Sequence, residues 1–87
     1  MVTATRTEAA RALDLSIYPN PATATATVET ATPTRFAILD LTGRVVQTGS
    51  ATQRRHSLNL AGLAADVYLV RVVDADGATA VQRLAVQ

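Results

Sequence analysis

The stretch Asp66–Val86 reads DVYLVRVVDADGATAVQRLAV and carries the strongest structural signal in the chain. Tyr68, Val70 and Val72 alternate with their neighbours, so they share one face of an extended strand. The Asp-Gly pair at 76–77 is among the strongest short signals for a β-hairpin turn. A second strand-like segment follows this turn. The sequence therefore predicts two antiparallel strands joined by a tight turn.

The same alternation recurs upstream of this hairpin and predicts five more short strands. They begin near residues 13, 24, 35, 45 and 56. The signals that separate them are Pro19-Asn20-Pro21, Thr32-Pro33, Thr42-Gly43 and the polar stretch Gly49–Arg55. Seven short strands at this spacing predict an all-β fold, namely a seven-stranded antiparallel β-sandwich with an immunoglobulin-like layout. Residues 1–12 are predicted to be a linker and residues 13–87 the folded domain.

Composition limits both the core and the chemistry of this 87-residue chain. Only three residues are aromatic, so the core has to consist mainly of Val, Leu, Ile and Ala. We expect Phe36, Ile38, Val70 and Val72 to be buried on facing strands. The net charge of +1 gives no reason to expect nucleic acid as a partner. Without cysteine there is no disulfide or thiolate metal site, and we expect no cofactor.

No set of side chains in the sequence predicts catalysis. His56 is the only histidine, and its neighbour Ser57 cannot pair with it because adjacent side chains on a strand point to opposite faces. We expect His56 to be partly exposed at a strand edge, and the chain not to be an enzyme. Asp74–Gly77 resembles the opening of a calcium loop, but a hairpin turn explains it fully. Arg54-Arg55 is interpreted as part of a solvated loop.

Two features leave alternatives open. Tyr18 and Tyr68 could form an aromatic platform for carbohydrate, although core tyrosines whose hydroxyls reach a partner at the rim are the favoured interpretation. Pro19-Asn20-Pro21 is either a rigid bend between strands or part of a recognised surface, and the sequence favours neither.

Four segments in a fixed order resemble a known family. Together they resemble the type A C-terminal sorting domain of the type IX secretion system, and the resemblance covers Leu13–Gln87. Each segment alone is a weak signal, but their order and separations are fairly specific. The segments are Ile17–Pro21, Ile38–Val46, Leu58–Val72 and Arg83–Val86.

The resemblance implies a sorting signal that directs a cargo protein through the outer-membrane translocon. The implied partners are that translocon, its shuttle proteins, an N-terminal cargo domain and a sortase-like protease that cuts in the linker. The implied location is secreted or cell surface, reached via the periplasm. Because the first residues lack the apolar stretch of a signal peptide, we expect the chain to be a piece of a longer protein. The residues expected to be recognised are Tyr18, Pro19, Asn20, Pro21, Asp40, Gly43, Tyr68 and Arg83.

Two positions near the C-terminal hairpin give further expectations. The family usually has glycine where this chain has Asp66, and this suggests a positive φ angle there. Because neighbouring side chains on a strand alternate, we expect Arg83 to lie on the face opposite Leu84. The family prefers basic residues in the last strand, and this implies that the translocon recognises the charge of Arg83, with a carboxylate as its partner. The alternative function is an immunoglobulin-like adhesive or spacer module of a secreted protein. One form of this hypothesis is that the module binds carbohydrate.

Overall fold

Five β-strands form the regular structure of residues 14–87, the part of the chain that this computed structural model describes. All strand pairs are antiparallel, which confirms the all-β prediction. The predicted linker 1–12 and the start of the first predicted strand lie outside the described residues. Within residues 14–87 there is no helix that is long and apolar enough to cross a membrane. The strands are β1 Leu15–Tyr18, β2 Thr25–Leu39, β3 Val45–Asn59, β4 Asp66–Asp74 and β5 Thr79–Val86.

The long strand β2 organises the sheet. Its first half pairs with both β1 and β3, and its second half pairs with both β4 and β3. Strand β5 then extends the sheet from β4, in the predicted C-terminal hairpin. The described strands therefore belong to one curled sheet, in the order β1-β2-β4-β5 with β3 attached to β2.

The seven-strand count and the immunoglobulin-like sandwich are not confirmed. Thr32-Pro33 does not end a strand, because β2 passes it through a shift in register between Glu29 and Thr34. Such a bulge lets proline, which has no N–H to donate, lie within a strand. The polar stretch Gly49–Arg55 is likewise part of β3, and its side chains are polar because most of them face solvent. Four predicted strands thus merge into two long ones.

The carbonyl groups around this bulge find side-chain donors. The hydroxyl of Thr30 donates to the carbonyl of Thr32 at 2.7 Å, and Nε2 of His56 lies 2.7 Å from the carbonyl of Thr34. A carbonyl oxygen can only accept, so Nε2 must carry the hydrogen. His56 is only 4% exposed, and the prediction of a partly exposed histidine is therefore wrong. Ser57 faces solvent on the opposite side of the strand, as predicted.

The core is aliphatic, as the composition predicts. Ile38, Val70 and Val72 are fully buried, which confirms three of the four predicted core positions. They lie on neighbouring strands of one sheet and not on facing strands, since Ile38 pairs with Val70. Curling of the sheet brings the other buried side chains over them. These are Ile17, Ala22, Ala26, Val28, Leu58, Leu60, Tyr68, Leu84 and Val86.

Phe36, the fourth predicted core residue, is only partly buried. Its ring lies over Gly49, the residue opposite it on β3, and meets the ring of His56 edge-on at a centroid distance of 4.9 Å. A Cβ atom at residue 49 would overlap the phenylalanine ring. The glycine therefore makes room for the ring, which covers that part of β3.

The prediction of a positive φ at Asp66 is wrong. Asp66 is the first residue of β4 and pairs with Val86, so its backbone is extended. Its carboxylate accepts a hydrogen bond from the N–H of Val67 at 2.8 Å. Among the described residues, positive φ angles occur at Gly43 and Gly77. A glycine in place of Asp66 would therefore relieve no strain.

Replacing Gly49 with alanine tests the contact with Phe36. We expect Gly49→Ala to lower the free energy of unfolding by about 1–3 kcal/mol, because the ring has to move out of a packed position. Gly62→Ala is the matched control, since a Cβ there meets no atom within 4 Å and the residue has no positive φ. Denaturant midpoints measure both. Equal midpoints for the two variants would contradict the proposed packing.

Candidate recognition surface

Asn20 joins the beginning of the described chain to its end. The segment Pro19–Pro21 follows β1 and lies beside β5, with cis peptide bonds before both prolines. The side-chain Nδ2 of Asn20 donates to the carbonyl of Arg83 at 2.9 Å, and the N–H of Ala85 donates to Oδ1 at 3.1 Å. The amide group of one side chain thus satisfies a donor and an acceptor of β5, as the backbone of a neighbouring strand would.

Ala22 continues this contact with its backbone. Its N–H donates to the carbonyl of Ala85 at 2.8 Å, and the N–H of Gln87 donates to its carbonyl at 2.8 Å. Ala22 is fully buried and forms a parallel bridge with Val86. We call the segment Asn20–Ala22 the latch. It covers the C-terminal part of the edge of β5, whose N–H and C=O groups would otherwise be free to pair with another chain.

Pro19-Asn20-Pro21 therefore has a structural role. The chain reverses its direction in this segment, and the latch holds the reversed chain on β5. It also places two of the predicted recognition residues, Asn20 and Arg83, at one site although 63 positions separate them in sequence. Arg83 is exposed and Leu84 is buried, which confirms the predicted orientation of this strand. Whether these residues are recognised by a partner stays a prediction.

The two tyrosines do not form a platform. Tyr68 is buried, and its hydroxyl donates to the carbonyl of Ala64 at 2.7 Å, as expected of a core tyrosine with a partner at the rim. Tyr18 is 44% exposed, so the same expectation is wrong for it. The reason is strand alternation: Ile17 occupies the inward position of β1, and its neighbour Tyr18 has to point outward.

Tyr18 belongs to a polar cluster on the outer face of β1, β2 and β3. Glu29 and Arg55 are directly opposite each other on β2 and β3, and Nε of Arg55 donates to the carboxylate at 2.7 Å. This hydrogen bond, assisted by Tyr18, holds the pKa of Glu29 below its usual value. Partial desolvation, followed by the adjacent Glu29 carboxylate, raises the pKa of Tyr18. The two arginines predicted to share a loop thus lie in a strand, and Arg55 is paired.

Asp40 and Gly43 build the turn between β2 and β3. The Asp40 carboxylate accepts hydrogen bonds from the N–H groups of Thr42 and Arg44, at 2.9 and 3.0 Å, and from the Thr42 hydroxyl. Gly43 has a φ of 92°, a conformation that other residues adopt only with strain. The donated hydrogen bonds, that of the Thr42 hydroxyl first, keep the pKa of Asp40 below its usual value.

The turn at Asp74–Gly77 repeats this arrangement. The Asp74 carboxylate accepts from the N–H groups of Asp76 and Ala78, both at 2.9 Å, and Gly77 has a φ of 86°. The carboxylate is therefore engaged by backbone amides of the turn that joins β4 and β5, which confirms the hairpin interpretation. Asp40 and Gly43 are explained in the same way, as the aspartate that accepts backbone N–H groups and the glycine with positive φ that a turn of this kind requires.

Comparison with known proteins identifies the family. The family described as "Secretion system C-terminal sorting domain" matches residues 16–87, which is nearly the whole chain. The chain belongs to this family, and the resemblance to type IX sorting domains is confirmed. The chain is therefore a C-terminal sorting domain of a secretion system. A search of curated proteins found no match.

Two solved structures are similar. PorZ, described as an essential bacterial surface component of the type IX secretion system of Porphyromonas gingivalis, is 25% identical with a TM-score of 0.71. The match covers 84% of this chain and 11% of PorZ, so this chain corresponds to a small part of that protein. CopC from Methylosinus trichosporium OB3b is 21% identical with a TM-score of 0.52, and the match covers 85% of this chain and 90% of CopC. The likeness to CopC concerns the fold alone.

Removing the side chain of Asn20 tests the latch. We expect Asn20→Ala to lower the free energy of unfolding by about 1–3 kcal/mol, because two hydrogen bonds worth roughly 0.5–1.5 kcal/mol each are lost. Amide hydrogen exchange should accelerate at Ala85, whose N–H loses its acceptor. Asn59→Ala is the control, since Asn59 makes one local hydrogen bond, to the N–H of Ala61. A loss of stability no larger than that of the control, with exchange at Ala85 unchanged, would refute the latch.

The Asp40 turn predicts a pH dependence. Because the folded state lowers the pKa of Asp40, its ionised form stabilises the fold above the usual carboxyl pKa, and this contribution is lost as the pH falls through the lowered value. The stability difference between the wild type and Asp40→Asn should therefore be largest at neutral pH and shrink below about pH 4. Melting curves across this range measure it, with Asp76→Asn as the control for removing one charge. A difference that is constant with pH would contradict the assignment.

Proposed function

We propose that this domain directs an N-terminal cargo protein through the type IX translocon of a bacterial outer membrane. The observation that carries the proposal is the match of residues 16–87 to the sorting-domain family. The structural similarity to a part of PorZ, itself a surface component of a type IX system, supports the same assignment. The domain has the role of an address and is not an enzyme.

The proposed route follows from that role. The cargo reaches the periplasm, and the translocon and its shuttle proteins bind the sorting domain there. After passage across the outer membrane, a sortase-like protease cuts within residues 1–12, upstream of the folded strands. The cargo is then released or attached to the cell surface.

The geometry of the latch supports the proposal that the translocon recognises the signal as a folded domain. Asn20 and Arg83 come together only when the sheet has curled and the latch has closed on β5. A linear segment containing either residue alone would lack the other. We therefore propose that the translocon recognises a surface made from both ends of the domain, so that unfolded domains are not recognised.

The alternative function is an adhesive or spacer module. Its carbohydrate-binding form is not supported, because Tyr18 and Tyr68, which would have to form the binding platform, do not share a surface. A position test distinguishes it from the sorting function. A reporter with a periplasmic signal is fused before residues 1–87, in a host with a type IX system, and reporter in the medium or on the cell surface is measured. We expect export from this fusion, and periplasmic retention when the domain precedes the reporter.

Two controls complete the experiment. In a strain that lacks the translocon, the reporter should stay in the periplasm with the domain in either position. Asn20→Ala should lower export in step with its loss of folded domain, whereas Asn59→Ala should export like the wild type. Export that does not require the translocon, or periplasmic retention of the wild-type fusion, would rule out the sorting function.

A further inference from the structure

Three arginines lie in a diagonal line on the outer face of β2, β4 and β5. Arg71 on β4 is opposite Ala37, so it is the diagonal neighbour of Arg35 on β2. Arg83 on β5 is opposite Leu69, so it is the diagonal neighbour of Arg71 on its other side. All three are exposed, and diagonal neighbours on a sheet are roughly 7–8 Å apart. We call Arg35, Arg71 and Arg83 the arginine diagonal.

The arginine diagonal is not neutralised by the described part of the protein. Arg44 and Arg55 pair with Asp40 and Glu29, whereas the structure of residues 14–87 shows no ion pair for the three arginines of the diagonal. The outward positions of β2 beyond its bulge, and those of β4 and β5, include no aspartate or glutamate. Three positive charges therefore face solvent together on a surface without acidic groups.

A groove of about 340 Å³ opens between two of these arginines. Ala37, which is directly opposite Arg71, contributes only a methyl group and so leaves a depression in the sheet surface. Val73 adds a second apolar wall, and Thr48 and Ser50 bring hydroxyl groups from β3. The groove thus combines guanidinium groups with an apolar floor.

The chemistry of this face selects its partner. Guanidinium groups bind carboxylates through two parallel hydrogen bonds, which is stronger and more directional than a single charged contact. Val81, 57% exposed, is directly opposite Arg71 on β5 and provides an apolar contact in the same line. A protein segment with spaced acidic side chains and small apolar residues between them matches both features. An anionic membrane would use the charges and leave the apolar groove empty.

We propose that the arginine diagonal is the face through which this domain binds an acidic segment of the export machinery, with one carboxylate of that segment in the groove between Arg35 and Arg71. This inference rests on the proposed sorting function and names the chemistry of the partner. The inference also assigns a role to Arg83, because the charge of Arg83 acts together with those of Arg35 and Arg71, which are distant from it in sequence.

The test uses the reporter fusion with three paired substitutions. Arg35→Gln/Arg71→Gln removes both charges of the groove, and Arg35→Lys/Arg71→Lys keeps the charge but loses the paired hydrogen bonds. Arg44→Gln/Arg54→Gln removes the same charge elsewhere on the surface. Melting temperatures of the purified 87-residue chains show whether each variant is folded. If the glutamine pair melts below its control, the single variants that keep the wild-type melting temperature replace it.

We expect the glutamine pair to export at least about tenfold less reporter than the wild type. The lysine pair should export an intermediate amount, and the Arg44/Arg54 control should export as much as the wild type. Equal export by the glutamine pair and the control would overturn the inference. Loss of translocon-dependent export by the wild type itself would instead count against the sorting function.

Vesicles separate a protein partner from a membrane. The purified wild type should not sediment more with phosphatidylglycerol vesicles than with phosphatidylcholine vesicles at physiological salt. Sedimentation with phosphatidylglycerol that the glutamine pair abolishes would assign the face to an anionic headgroup, and would overturn the proposed acidic protein segment.

Discussion

Pairing of the latch with β5 is the contact on which the arrangement of this domain depends. Without it, the curled sheet would end in the exposed C-terminal part of β5. The latch closes that edge with two groups from the Asn20 side chain and two from the Ala22 backbone. It also buries Ala22 against the core. Chain reversal at the prolines makes this possible, because it turns the end of β1 toward β5.

Closure of the sheet compensates for a core that is poor in aromatic residues. Of Tyr18, Phe36 and Tyr68, only Tyr68 is buried, and the rest of the hydrophobic core consists of small and branched aliphatic groups. Such side chains reach each other only if the sheet curls tightly. The bulge before Thr34 allows β2 to bend, and Thr30 and His56 satisfy the carbonyl groups there. The latch holds the curled sheet from its other end.

Two regions of the outer face of the sheet differ in electrostatic character. On β1, β2 and β3, Glu29 lies between Tyr18 and Arg55, and the charges compensate one another. On β2, β4 and β5, the arginine diagonal forms no ion pair within residues 14–87. A surface that is neutralised within the domain has little to offer a charged partner, whereas an uncompensated one attracts it. The latch lies beside Arg83, so edge closure and the charged face share the strand β5.

The sequence by itself determined the period-two pattern, the C-terminal hairpin, the Asp-Gly turns and the family, because each of these depends on residues close together in the chain. It did not determine strand number, since a bulge at Thr32-Pro33 and an exposed strand at Gly49–Arg55 look like loops when only local composition is read. It misplaced His56, whose burial depends on the carbonyl of Thr34 22 positions away. Only the tertiary structure decided that Asn20 binds β5 and that Arg35, Arg71 and Arg83 share one face. The physical reason is register: which residues stand side by side in a sheet is set by pairing between distant segments, and that pairing depends on the closed fold.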